Sequence, residues 1–205
     1  MARRNDHSRE ELVELTLTCV EDYLKTQPYH SLSLRKIAAM IGYVPSTLVN
    51  VFGSYNILLL HIVARALDEL RSQAERNLAT TSDPKASLSA LAHLYLDFAA
   101  ENRYRWQLIF EHSMDGDKLP DWQNDRIHSM TGLLEALLRR LSPNKSDEEV
   151  VQASRVLWAG VHGITLLSVD DKLFTDAPVN GGELIDNLIS AYLSSWVGST
   201  YTQTT

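Results

Sequence analysis

Residues 34–59 read LRKIAAMIGYVPSTLVNVFGSYNILL, and this stretch restricts the possible folds more than any other part of the chain. Ser33 is suited to cap a helix, and Leu34, Ile37, Ala38 and Ile41 recur at helical spacing on one face. Gly42 stands just past the last of them, where a glycine reaches the left-handed conformation that ends a helix. Pro45 follows where proline fits the first turn of a new helix, and Leu48 and Phe52 give that helix a buried side. The pattern predicts two short helices joined by a tight turn and followed at once by a third. The outward side of the second helix carries Ser46, Thr47, Asn50 and parts of Val49 and Val51. These side chains are short enough to approach base edges in a major groove. A plain helical hairpin satisfies the same spacing.

Helical periodicity continues through nearly the whole chain, with no alternating strand or valine-rich run. Ser8 can cap a first helix whose Leu12, Leu15, Cys19, Val20 and Tyr23 form one stripe that ends before Pro28. A long helix is predicted over 54–78, with Leu58, Ile62, Leu67 and Leu70 on its apolar side. The polar ATTSDPKAS run marks a loop, and Asp83 with Pro84 starts a helix reaching about residue 102. Further helices are predicted over 104–113, 122–141, 146–169 and 182–197, and the TYTQTT tail is expected to be disordered. The expected fold is all-α. An N-terminal three-helix helix-turn-helix domain over residues 1–56 joins a larger C-terminal helical bundle over 57–205, with about nine helices in all.

The last two predicted helices are apolar on more than one face. In the first, Val150, Leu157, Val161 and Ile164 form one stripe and Val151, Trp158, His162 and Leu166 another. In the second, Leu184, Leu188 and Ala191 lie beside Ile185, Ile189, Tyr192 and Trp196. Such a pair has more to bury than one chain supplies. Val150, Leu157, Val161, Ile164, Leu184, Leu188 and Ala191 are therefore expected to form the four-helix interface of a homodimer, with packing inside one chain as the alternative.

A chain of 205 residues with 44% apolar content can bury a sizeable core. Its net charge of −7 excludes a general coat for nucleic acid, so any DNA contact must be local. Over residues 1–56, Arg3, Arg4, Arg9, Lys25, Arg35 and Lys36 are balanced by Asp6, Glu10, Glu11, Glu14, Glu21 and Asp22, but the acids cluster on the first helix. The single cysteine, Cys19, excludes an internal disulfide, sits at an apolar helical position expected to be core, and fits a reducing compartment. With no signal-peptide pattern and no uninterrupted apolar span, the expectation is a cytoplasmic protein with no membrane partner.

His93, His112, His128 and His162 fall on four different predicted helices, with Asp97 or Asp115 as further oxygen donors. No His-Glu-x-x-His or paired Glu-x-x-His spacing supports a metal site, so neither metal nor cofactor is expected. No Gly-x-Ser-x-Gly elbow or glycine-rich phosphate loop is present, so no catalytic residue is expected and the protein is read as a non-enzyme. Tyr95, Trp106, Phe110, Met114, Trp122 and Met130 fall in the middle of the chain, where a bundle can open a pocket.

Leu34-Arg35-Lys36-Ile37-Ala38-Ala39, Gly42, Pro45-Ser46-Thr47-Leu48 and Phe52-Gly53-Ser54 resemble the N-terminal signature of TetR-type transcriptional regulators. Leu157-Trp158-Ala159-Gly160-Val161-His162-Gly163 resembles the Trp-His-Gly element of one group of their C-terminal domains. The resemblance implies a ligand-responsive regulator, a repressor, that binds a palindromic double-stranded DNA operator as a homodimer. Ser33, Arg35 and Tyr55 would position the DNA backbone, while Tyr43, Ser46, Thr47 and Asn50 would make contacts at or near base edges. A small, largely apolar effector would be held by Tyr95, Trp106, Phe110, Met114, Trp122, His128, Trp158 and His162. The chain departs from the family pattern at Val44, where many relatives carry a small polar residue, at Val49, where they carry tyrosine, and at Tyr55, where they carry lysine. The last two usually touch phosphates, so a helical ligand-binding protein with weakened DNA recognition is the alternative.

Overall fold

The computed structural model describes residues 7–173 and 179–198. Nine α-helices and no strand occur among the described residues: α1 (Arg9–Leu24), α2 (Leu34–Met40), α3 (Pro45–Phe52), α4 (Tyr55–Leu78), α5 (Pro84–Glu101), α6 (Arg103–Glu111), α7 (Asp121–Leu141), α8 (Asp147–Val169) and α9 (Gly181–Gly198). A short 3-10 turn, Tyr29–Ser31, stands between α1 and α2. The Arg3-Arg4 arm and the TYTQTT tail lie outside the described residues.

Local chemistry sets most of the boundaries. Ser8 and Glu11 form a reciprocal capping box at the start of α1, and Ser146 and Glu149 do the same for α8. Ser33 accepts from the Lys36 amide at 3.2 Å to start α2, and Asp83 accepts from the Ala86 amide at 3.0 Å to start α5. Gly42 and Gly53 close α2 and α3 at φ +77° and +85°, a region where a side chain is strained.

The chain forms two compact units. The first comprises 1–68 and 102–124, and the second 69–101 and 125–205. Residues 55–68 of α4 therefore belong to the first unit and 69–78 to the second. In the first unit, α1 packs on α2, α3 and α6 around a core that includes Val20, Ile37, Leu48, Leu58, Ile62 and Leu108, all fully buried. In the second, α5, α8 and α9 pack on one another around Val150, Ala153, Leu157, Ile185 and Leu138. Gly160 permits the close approach of α9 to α8, since a Cβ there would stand 2.6 Å from Leu188 Cδ2. By length and composition α8 could cross a membrane, a property shared with the core helices of soluble proteins. One side of it is packed into the second core.

Candidate DNA-reading face and ligand-binding residues

In the first unit, Leu48 and Phe52 are 0% and 7% exposed and anchor α3 through one side. Burial of side chains of this size contributes about 1.5–3 kcal/mol each, enough to fix which face points outward. Ser46, Val49 and Asn50 lie at i, i+3 and i+4 on the exposed side. Thr47 is half-buried, and its amide bonds back to the Val44 carbonyl at 3.0 Å. The C-terminal end of α3 is tied to α1, where the Arg9 guanidinium donates to the Val51 carbonyl at 2.9 Å. Tyr43, in the turn between α2 and α3, shares a 2.8 Å hydrogen bond with His7 Nδ1.

The expected backbone contacts separate into different roles. Ser33 spends its hydroxyl oxygen on the α2 cap, and Arg35 is exposed. Lys36 is exposed as well, but it is engaged with neighbouring groups of the protein. Its ammonium donates to Tyr23 Oη at 2.6 Å and to the Ser31 carbonyl at 3.2 Å, and lies over the Tyr23 ring. That hydrogen bond holds the Tyr23 phenol below its usual pKa. Tyr55 is half-buried against the first core, and burial, with Tyr29 adding, pushes its phenol upward. Its ring is thus committed to packing, which distinguishes it from a free phosphate contact.

A charge pattern not apparent from helical periodicity runs through the sequence that carries this face. Residues 23–67 contain no Asp or Glu, but they contain Lys25, Arg35, Lys36 and Arg65, in a chain whose net charge is −7. Arg65 of α4 joins α1 through Glu14 and, at 3.0 Å, Glu21. Arg105 of α6 approaches Glu21 at 3.7 Å. The hydrogen bond from Arg65 lowers the Glu14 carboxyl below the ordinary range. No sequence spacing marks this network, because its members come from three helices. Cys19 is only partly buried, and burial pushes its thiol upward.

The eight expected ligand residues divide between the units. Trp106, Phe110, Met114 and Trp122 belong to the first; Tyr95, His128, Trp158 and His162 belong to the second. Trp106 is 1% exposed and forms part of the protein interior, with the Phe110 ring 5.4 Å away. Met114 and Trp122 pack against the first core, and Trp122 stacks on His61 at 5.1 Å. In the second unit the structure does gather Tyr95, Trp158 and His162. Tyr95 Oη lies 2.8 Å from His162 Nδ1, and Trp158 stacks on the same imidazole at 5.6 Å. Burial lowers the His162 pKa and favours a neutral ring. Thr165, one turn further along α8, is fully buried, and its hydroxyl makes no hydrogen bond within the protein. His128, by contrast, is exposed on α7.

The expected dimer residues also separate. Val150, Leu157 and Val161 are interior to the protomer, at 0%, 2% and 8% exposure, because that side of α8 is covered by α5 and α9. Ile164 and Leu188 are half-buried on the same core. Leu184 is half-exposed and Ala191 exposed. The apolar side chains that α8 leaves open are Val151, Val156, Trp158, Leu166 and Leu167.

His93 meets Asp186 at 3.0 Å, and Ser89 meets the same carboxylate oxygen at 2.6 Å, linking α5 to α9. The Ser89 hydrogen bond, with that of His93, lowers the Asp186 pKa. A nucleophilic triad needs its histidine between the hydroxyl and the carboxylate, whereas here the carboxylate takes the centre. Among the described residues no group of three His, Cys, Asp or Glu side chains could hold a metal ion.

Residues 88–192 match the family described as tetracyclin repressor-like, C-terminal domain. A curated relative, the HTH-type transcriptional activator FasR of Mycolicibacterium smegmatis, is 28% identical over 109 residues, which are 53% of this chain and 50% of the relative. The chain thus spans about half the length of the curated relative it matches. Among solved structures, a protein of unknown function from Rhodococcus sp. RHA1 superposes with a TM-score of 0.74 at 20% identity, covering 94% of this chain and 98% of the other. AibR in complex with isovaleryl coenzyme A and operator DNA gives a TM-score of 0.62 at 16% identity, covering 90% and 97%. These likenesses establish a shared all-α fold, and the match over residues 88–192 shows that the chain belongs to the TetR family, through its tetracyclin repressor-like C-terminal domain.

Proposed function

We propose that the protein is a ligand-responsive DNA-binding transcriptional regulator, a repressor that binds a palindromic operator as a homodimer. The observation that carries this function is the exposed Ser46, Val49, Asn50 face of α3, held outward by buried Leu48 and Phe52 within a stretch devoid of carboxylates. Two copies of α3 would enter successive major grooves, with half-sites about one helical turn apart. Arg35 positions the DNA backbone; Ser46, Thr47 and Asn50 meet base edges, and Tyr43 supports the turn that presents them.

The second unit receives a small, largely apolar effector. Tyr95, Trp158 and His162 supply an aromatic wall with one polar handle. Effector binding shifts α4, the helix whose residues divide between the units, and so changes the spacing of the two readers. The fold shared with AibR, solved with both isovaleryl coenzyme A and operator DNA, supports a chain that binds both kinds of partner. The homodimer forms through the open apolar side of α8, including Val156 and Leu167, with Leu184, Leu188 and Ala191 of α9. In the alternative, a ligand-binding protein with weakened DNA recognition, the occupied Lys36 and packed Tyr55 leave too few phosphate contacts.

Fluorescence anisotropy on DNA adjoining the protein's own gene tests the division of roles. Arg35→Ala should weaken all duplexes alike, whereas Asn50→Ala should lower preference between operator and unrelated DNA by about fivefold or more. Equal losses on both duplexes from both variants would contradict the assignment.

A further inference from the structure

Three apolar side chains stand open around the turn and helix that would face DNA. Val44 is 54% exposed, Val49 42% and Met40 41%. A scattered exposed apolar residue needs no explanation, but these three share one short helix-turn-helix, and Val49 lies beside Asn50 on the outward face. The charge of the sequence that carries them, with Arg35 and Lys36 exposed on α2, selects the occupant. A stretch with four cations and no carboxylate, in a chain of net charge −7, is complementary to a polyanion. Yet three of the four already have partners in the protein, Lys25 in Asp22, Lys36 in Tyr23 and Arg65 in Glu14 and Glu21, so contacts that read bases carry a larger share of recognition here.

In a major groove, one base feature is apolar: the C5-methyl group of thymine. A valine offers two branched methyls and has little side-chain freedom to lose on a helix. An asparagine beside it matches the adenine N6 and N7 edge. Adjacent residues on α3 therefore match adjacent features of A·T pairs. We propose that Val49 reads a thymine methyl in each half-site, next to an adenine read by Asn50. This inference rests on the DNA-reading function above and specifies its preferred sequence.

The test begins with the duplex that the full chain selects from a pool of random-sequence DNA. Each thymine is then replaced in turn by deoxyuridine, which removes only the C5-methyl group, and affinity is measured by anisotropy. At one thymine per half-site the replacement should weaken binding about fourfold, the effect of one buried methyl-sized group. Val49→Ala should bring that penalty below about twofold while binding of the uracil duplex stays nearly unchanged, and Ser46→Ala should leave the penalty in place. Alanine is the stronger helix former, so both variants keep α3. A sequence-selective complex indifferent to every uracil, or a uracil penalty that survives Val49→Ala, overturns the thymine assignment alone. Absence of any saturable complex overturns the DNA-reading function with it.

Discussion

At the scale of single residues, neighbours decide which of several equivalent side chains is available for function. Arg35 and Lys36 are consecutive and both exposed, but the Lys36 ammonium is taken up by Tyr23 and Ser31. His162 shows the same principle in the second unit, where burial beside Tyr95 and Trp158 favours its neutral form. Its folded pKa lies below the ordinary value of 6.5, so the unfolded chain binds the proton more readily. Stability contributed by the neutral ring is complete above that value and is lost as pH falls from 6.5 through the lowered folded pKa. His112, also lowered by burial, acts in the same direction. Thermal melting should therefore show Tm falling across this window, with a shallower fall in His162→Gln; an unchanged slope in the variant would contradict the role of His162. Tyr95, Trp158 and His162 could each be picked out of the sequence as candidates, but not their approach to one another, because it depends on the packing of α5 against α8.

At the scale of elements, sequence punctuation and helical boundaries agree closely. Ser8, Ser33, Asp83 and Ser146 cap the helices they were expected to start, and Gly42 makes the turn. Faces were harder to assign, since a helix apolar on two sides does not state which side the protomer covers. The first stripe of α8, Val150, Leu157 and Val161, proves to be interior, and the second stripe retains the open Val151, Trp158 and Leu166. The Arg65 network likewise arises only when α4 meets α1. Arg65 has 30% of its side chain exposed and Glu21 20%, so its contribution falls between that of a surface pair and that of a buried one. Arg65→Ala should cost about 1–2 kcal/mol of stability in denaturant titration. Part of that loss should disappear in an Arg65→Ala, Glu21→Gln double variant, which removes the carboxylate left behind; fully additive losses would show that the pair is uncoupled.

At the scale of the whole molecule, family membership and fold rest on most of the chain, whereas the proposed activity rests on a few exposed side chains. The all-α order, the helix-turn-helix and the long α4 were legible because they follow from periodicity and capping. The division of the ligand candidates between two units was not, since 102–124 joins the first unit only through long-range contacts. The proposed regulator joins the reading face of α3 to an effector site in the second unit and a dimer face on α8 and α9. Its DNA affinity combines base contacts with a limited number of phosphate contacts, and each phosphate neutralised contributes about −0.9 to the slope of log K against log salt. The decisive measurement is a titration of the full chain against the DNA adjoining its own gene, repeated over a salt series. A saturable complex of two protomers per operator, weakening as salt rises, is predicted; no saturable complex at any protein concentration, even at low salt, would contradict the DNA-reading function.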